Sequence, residues 1–167
     1  MMMQMNQQFD LAFNFLQNTG THLFLTGKAG TGKTTFLKKL KEVSPKRMIV
    51  VAPTGVAAIN AGGVTIHSFF QLPFGPYLPS ASREADQAKN FTNKFSRDKI
   101  NIIRSMDLLV IDEVSMVRAD LLDAISDVLC RYKDRTKPFG GVQLLLIGDL
   151  QQLAPVAKDD EWNLLKE

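Results

Sequence analysis

The sequence predicts an α/β fold, a mostly parallel sheet with helices on both faces, and three observations carry that prediction. Four apolar runs, at 22–26, 48–52, 108–111 and 142–147, are continuous rather than alternating. That is how strands read when both faces of a parallel sheet are covered. Stretches with apolar residues at helical spacing separate the runs, as right-handed crossovers require. Finally, Gly27-Lys28-Ala29-Gly30-Thr31-Gly32-Lys33-Thr34 fits G-x-x-x-x-G-K-[ST] and sits between the first run and a helical pattern.

Size and composition set loose bounds. The 167 residues, 45% of them hydrophobic, suit one domain with a real core. A net charge of +3 permits a nucleic-acid partner without arguing for one. Cys130 is the only cysteine, so the chain has no internal disulfide and no zinc spacing. A reducing, cytoplasmic compartment is the default expectation. The start Met1-Met2-Met3-Gln4-Met5 lacks the basic and apolar regions of a signal peptide, and no segment approaches a membrane span.

Taken in order, residues 6–18 place Phe9, Ala12, Phe13 and Leu16 on one helical face, which should pack on the sheet. Gln7 and Gln8 on that helix are either solvated or one of them reads an adenine edge through its amide. The glycine-rich loop comes next. Its glycines let successive N–H groups point into one concavity, and the following helix presents its positive end to a bound anion. Lys33 would reach the β- and γ-phosphates of a nucleotide, and the Thr34 hydroxyl would hold Mg²⁺.

After Ser44-Pro45 and the second strand, Ala52-Pro53-Thr54-Gly55 opens a helix of small residues (Val56-Ala57-Ala58). The stretch from Gly62 to Phe70 gathers hydroxyls, His67 and two phenylalanines with little charge. Two readings stay open. Thr65, His67 and Phe69 could line single-stranded nucleic acid; equally, Thr65 could cap a helix while the rings fill the core. Prolines 73, 76 and 79 and a charge-mixed tail mark 71–96 as a flexible insertion. Ile100, Ile103 and Met106 form the next helical pattern.

The third strand ends in Asp112-Glu113. Desolvating unpaired carboxylates is costly, so a metal and a water suit this position: Asp112 on Mg²⁺, Glu113 activating the water. The alternative is a helix start, where acids also favour the dipole. Val117, Leu121, Leu122, Ile125, Val128 and Leu129 form a core-facing stripe, and Arg104 and Arg118 are expected at the surface. Pro138-Phe139-Gly140-Gly141 turns the chain into the fourth strand, which ends in Gly148-Asp149-Leu150-Gln151-Gln152. An amide there could sense a γ-phosphate, or the segment could be a plain turn.

Together, G-x-x-x-x-G-K-T, A-P-T-G-x-A-A, G-G-x-T-I-H-S-F, I-D-E-x-S-M and G-D-x-x-Q-L-x-P-V resemble the Pif/RecD-like branch of superfamily-one DNA helicases, in that family's order over residues 27–156. The resemblance implies an ATP- and Mg²⁺-dependent motor that translocates 5′ to 3′ on single-stranded DNA and unwinds duplex. It makes Gly27, Ala29, Gly30, Thr31, Gly32, Lys33, Thr34, Thr35 and Gln8 nucleotide ligands, with Thr34 and Asp112 on the metal. It makes Lys33, Glu113 and Gln152 catalytic, and puts Pro53, Thr54, Gly55, Thr65, His67 and Phe69 along DNA.

Such motors have two RecA-like domains. The expectation is one RecA-like ATP-binding domain over 1–167, a piece of a longer helicase and nearly inactive alone. Analogy with related ATPases gives strand order 1-4-3-2, with a last strand missing beside the first. A nucleotide-binding module without helicase activity is the alternative.

Overall fold

The computed structural model describes residues 7–77, 95–155 and 161. Most of the insertion expected at 71–96, and Val156 of the last motif, lie outside the described residues. Helix α1 (Gln7–Asn18) precedes strand β1 (Leu23–Thr26), and α2 (Lys33–Val43) leads to β2 (Met48–Ala52). Then come α3 (Gly55–Ala61), a two-residue β3 (Val64–Thr65) and α4 (Ile66–Phe70). Helix α5 (Arg97–Ser105), β4 (Leu108–Ile111), α6 (Ala119–Tyr132) and β5 (Gln143–Gly148) complete the order.

All pairings are parallel, in the order β1-β5-β4-β2-β3. The four strands expected from the apolar runs therefore stand in the expected order. The fifth, β3, adds beyond β2 and was not anticipated, because two residues are too few to show a period. Its approach is close: a Cβ on Gly63 would lie 2.3 Å from the Val50 carbonyl oxygen.

The continuous runs have the expected cause. Within β4, Leu108 and Val110 face one core with Ala12, Leu16, Phe36, Leu37 and Leu40 of α1 and α2. Leu109 and Ile111 face the other, with Ile66, Phe70, Ile103, Ile125 and Leu129 of α4, α5 and α6. All four β4 residues are fully buried. Each such side chain contributes roughly 1.5–3 kcal/mol relative to exposure.

Helix starts are fixed locally. The Thr54, Thr65 and Ser96 hydroxyls accept from the N–H groups of Ala57, Ser68 and Lys99, each at 3.2 Å. Helix α3 ends at Gly62, whose left-handed φ of 63° would be strained in most residues. Lys41 reaches across to hold the carbonyls of Ala61 and Gly62 at 3.1 and 2.7 Å.

Candidate nucleotide site and adjoining face

Register places the polar ends of the strands in one row. Thr26 lies opposite Gly148, and Val51 opposite Ile111. The chain therefore leaves the sheet at Gly27, Asp112, Pro53 and Asp149 along the same edge, where open parallel sheets bind ligands.

The loop between β1 and α2 has the backbone a phosphate cradle needs. Gly30 and Gly32 have φ of 80° and 90°, a region open to glycine at little cost. Gly32 also begins α2 with no side-chain cap, so the first N–H groups of that helix are left for a ligand. Around the loop, the Thr31 hydroxyl donates to the Lys28 carbonyl at 2.8 Å. A Cβ on Gly27 would meet that same hydroxyl oxygen at 2.7 Å, so a larger residue there would disturb the turn. The Lys33 ammonium donates to the carbonyls of Gly27 and Lys28, which hold it against the loop. Thr34 and Thr35 are exposed on the first turn of α2. Phe9 of α1 packs on Phe36 with ring centroids 5.2 Å apart and lies over Gly32. That contact sets the first turn of α1, with Gln7 and Gln8, beside the loop.

The acid pair is half-buried at the end of β4. The Asp112 carboxylate accepts from the Glu113 N–H at 3.0 Å. Burial pushes the Asp112 carboxyl above its usual range, against the opposing effects of that N–H and of the Lys33 ammonium. Lys33, at the start of α2, thus acts electrostatically on Asp112, at the end of β4. Glu113 has φ 53° and ψ 43°, a left-handed conformation that costs a residue with a Cβ. It opens a 3₁₀ turn, Val114–Met116, closed by the Met116 N–H donating to the Glu113 carbonyl at 3.1 Å. Ser115 in this turn is buried, and its hydroxyl has no hydrogen-bond partner among the described residues.

The end of β5 rests on that turn. A Cβ on Gly148 would lie 3.0 Å from Val114 Cγ1 and 3.2 Å from the Ser115 nitrogen. Beyond it, the Asp149 carboxylate accepts from the Gln151 N–H at 3.0 Å, and the Asp149 carbonyl from the Gln152 N–H at 3.0 Å. Gln151 and Gln152 are exposed. Gly148 therefore joins the Glu113 turn to the glutamine loop, although Gln152 itself points at neither Lys33 nor Glu113 through any hydrogen bond described.

The expected DNA-facing segment divides in two. Pro53 and Thr54 are half-buried and Gly55 is exposed at the start of α3. The Thr54 and Thr65 hydroxyls are occupied as helix caps. Phe69 is 6% exposed and Phe70 1%, both within the core, so of the two readings left open the packing one holds, and Phe69, which the resemblance put along DNA, is a packing residue. Lys99 lies over the Phe69 ring at 3.6 Å. The exposed ring is Phe74, at 90%, stacked on His67 with centroids 4.9 Å apart and planes at 22°. Sequence reasoning missed Phe74; its Pro73/Pro76 surroundings were the available signal. Arg118, expected at the surface, is instead held by Asp120 in a bidentate pair at 2.9 and 2.8 Å.

Among the described residues no group of three or more His, Cys, Asp or Glu side chains converges as a metal site. No described helix is long and apolar enough to cross a membrane.

A glycine cradle, a lysine held at its mouth and an acid pair at the end of a parallel strand one position removed, beyond β5, define a phosphate-loop nucleotide triphosphatase fold of the RecA type. The model of the PIF1-like helicase family matches residues 4–163. The chain belongs to that family. It is 37% identical over 159 residues to the ATP-dependent DNA helicase RRM3 of Saccharomyces cerevisiae, covering 92% of this chain and 21% of the relative. It is 38% identical over 148 residues to the ATP-dependent DNA helicase PIF1 of Homo sapiens, covering 85% and 21%. Among solved structures, Bacteroides Pif1 bound to single-stranded DNA is 48% identical with a TM-score of 0.87, over 99% of this chain and 36% of that one. Bacteroides Pif1 in complex with ADP-AlF4 gives 48% and 0.89 over the same shares. The chain thus spans about a fifth of the length of these curated relatives.

Proposed function

We propose that the chain is the ATP-binding motor domain of a DNA helicase that couples hydrolysis to 5′-to-3′ movement on single-stranded DNA and to duplex unwinding. The observation that carries this is the glycine loop after β1 leading into the uncapped start of α2, whose Lys33 ammonium acts electrostatically on the Asp112 carboxylate at the end of β4. The names of the relatives and the DNA and ADP-AlF4 complexes of Bacteroides Pif1 support it. One RecA-like domain over 1–167 and a cytoplasmic setting go with the reading; Cys130 is a free thiol.

The residues fit Mg²⁺. Asp112 is a carboxylate whose charge burial disfavours, and a cation would relieve that cost. Thr34 would supply a hydroxyl from α2, the remaining ligands being waters and phosphate oxygens, as suits this ion. When bound, the ion supplies charge to neutralise the phosphates during transfer.

The chain's own groups divide the remaining work. Loop N–H groups from Gly27, Ala29, Gly30, Thr31 and Gly32 and the start of α2 at Lys33, Thr34 and Thr35 would bind the phosphates. The Lys33 ammonium would exchange its two carbonyl acceptors for β- and γ-oxygens. Glu113 would take the proton of the attacking water, and Gln152 would bond the γ-phosphate or that water and lose the contact afterwards. Gln8, or its neighbour Gln7, would read the adenine. Pro53, Thr54, Gly55, Thr65 and His67 would lie along the DNA backbone.

The test is ATP hydrolysis with and without single-stranded DNA, by this chain and by a protein that also carries the second RecA-like domain. DNA-stimulated turnover and unwinding by the longer protein are expected, with little by this chain. Nucleotide binding without stimulated turnover in the longer protein would favour a nucleotide-binding module.

A further inference from the structure

Arg118 stands five residues beyond Glu113, and the path between them is stiff. Val114–Met116 forms the 3₁₀ turn against Gly148, and the Val117 N–H donates to the Val114 carbonyl at 3.0 Å. Ser115 and Val117 are both buried. Arg118 begins α6, its carbonyl accepting from Leu121 and Leu122. Its side chain turns towards the segment 71–77. Nε and Nη2 grip the two oxygens of Asp120, Nη2 also donates to the Gly75 carbonyl at 3.1 Å, and Nη1 meets Glu161 at 3.2 Å. Asp120 in turn accepts from the Tyr77 N–H at 2.8 Å, and the Tyr77 hydroxyl donates to Asp127.

The segment is therefore fastened at Gly75 and at Tyr77, and between α4 and those fastenings it displays Phe74 on His67. Burial works to raise the Asp120 carboxyl, but the Arg118 fork and the Tyr77 N–H outweigh it and hold it below its usual range. The His67 imidazole is held low by burial first and then by the Arg118 charge. A lysine could not make the same set of contacts, because two carboxylate oxygens and a carbonyl are met by one planar fork.

We propose that Arg118 is a positioning residue that links the nucleotide site to the His67–Phe74 face, so that a ligand at the Glu113 end alters how firmly residues 71–77 are held. This rests on the nucleotide-binding reading above. Coupling of this kind is reciprocal: whatever orders the exposed face also biases the Glu113 turn. Neither Arg118 nor Phe74 is needed to form the sheet, since both lie outside its two cores.

The experiment is amide exchange at Tyr77, read by NMR on the 167-residue chain with and without Mg²⁺ and a non-hydrolysable ATP analogue. In the unaltered chain, nucleotide should slow Tyr77 exchange by about fivefold or more. In Arg118→Lys the ratio should fall to one while nucleotide affinity stays at its original value. A merely structural role would change exchange equally in both conditions and leave the ratio intact. Asp120→Asn provides a second variant should Arg118→Lys fail to fold. Bound nucleotide with no effect on Tyr77, or an unchanged ratio in Arg118→Lys, overturns the proposal. No nucleotide binding at all defeats the functional reading first, and the coupling, having no input, falls with it.

Discussion

Replacing Glu113 with glycine should make the fold more stable while removing the proposed base. At φ 53° and ψ 43° the Glu113 Cβ crowds its own backbone, a cost of roughly 1–2 kcal/mol that glycine does not bear. Glycine gives back roughly 0.4–1 kcal/mol through the greater freedom of its unfolded chain. The net gain is about 1 kcal/mol, or a rise in Tm of about 2–4 °C for a chain of this size. Glu113→Ala is the control, because it removes the carboxylate and keeps the Cβ. Thermal unfolding of the three proteins at pH 7, followed by circular dichroism, reads the difference. Single-turnover hydrolysis of labelled ATP, in a protein that also carries the second RecA-like domain, then compares both variants with Glu113→Gln, and all three should be slow with nucleotide still bound. Equal Tm values for the glycine and alanine variants would refute the strain argument. Hydrolysis at the original rate by Glu113→Gln would remove Glu113 from the role of base.

Lys33→Ala should lose most of the affinity for Mg²⁺-ATP in isothermal titration, and equal affinities would end the phosphate-loop assignment. Asp112→Asn should unfold at a higher temperature at pH 7, because it removes a charge that burial disfavours, yet bind nucleotide with weaker dependence on Mg²⁺. The sign follows from a carboxyl raised in the fold above its ordinary value of 3.8. Its contribution to stability is full below that value and is lost as pH rises through the folded one. The advantage of asparagine should therefore shrink in melts taken progressively closer to pH 3.8. Gly63→Ala should cost about 1–3 kcal/mol in urea unfolding, because its Cβ would press on the Val50 carbonyl and part β3 from β2.

Features that repeat along the chain were legible in the sequence, and features decided by packing were not. The runs at 48–52 and 108–111 announced strands covered on both faces, and the helical stripe from Val117 to Leu129 announced α6. The glycine loop carried its own backbone requirement in its residue types. By contrast, α4 has five residues, too few to show which face would turn inward. Phe69 and Phe70 therefore stood open between stacking and packing until the core claimed them, and Phe74 in its proline-bounded segment was passed over. Arg118 looked like a surface residue because its partner Gly75, distant in sequence, is brought to it only by the fold. The left-handed turn at Glu113 had no glycine or asparagine to advertise it.

Strand β1 has β5 as its one neighbour among the described residues, and the phosphate loop is its direct continuation. An outermost strand is where a sheet frays first, since fewer ladder bonds must break to release it. A ligand seated between β1 and α2 grips both the loose margin and the helix packed behind it. By mass action it would suppress that local opening by RT ln(1 + [L]/Kd). The nucleotide would thus act as a clasp on one outer margin of the sheet, and each product release would briefly return that margin to its own modest strength.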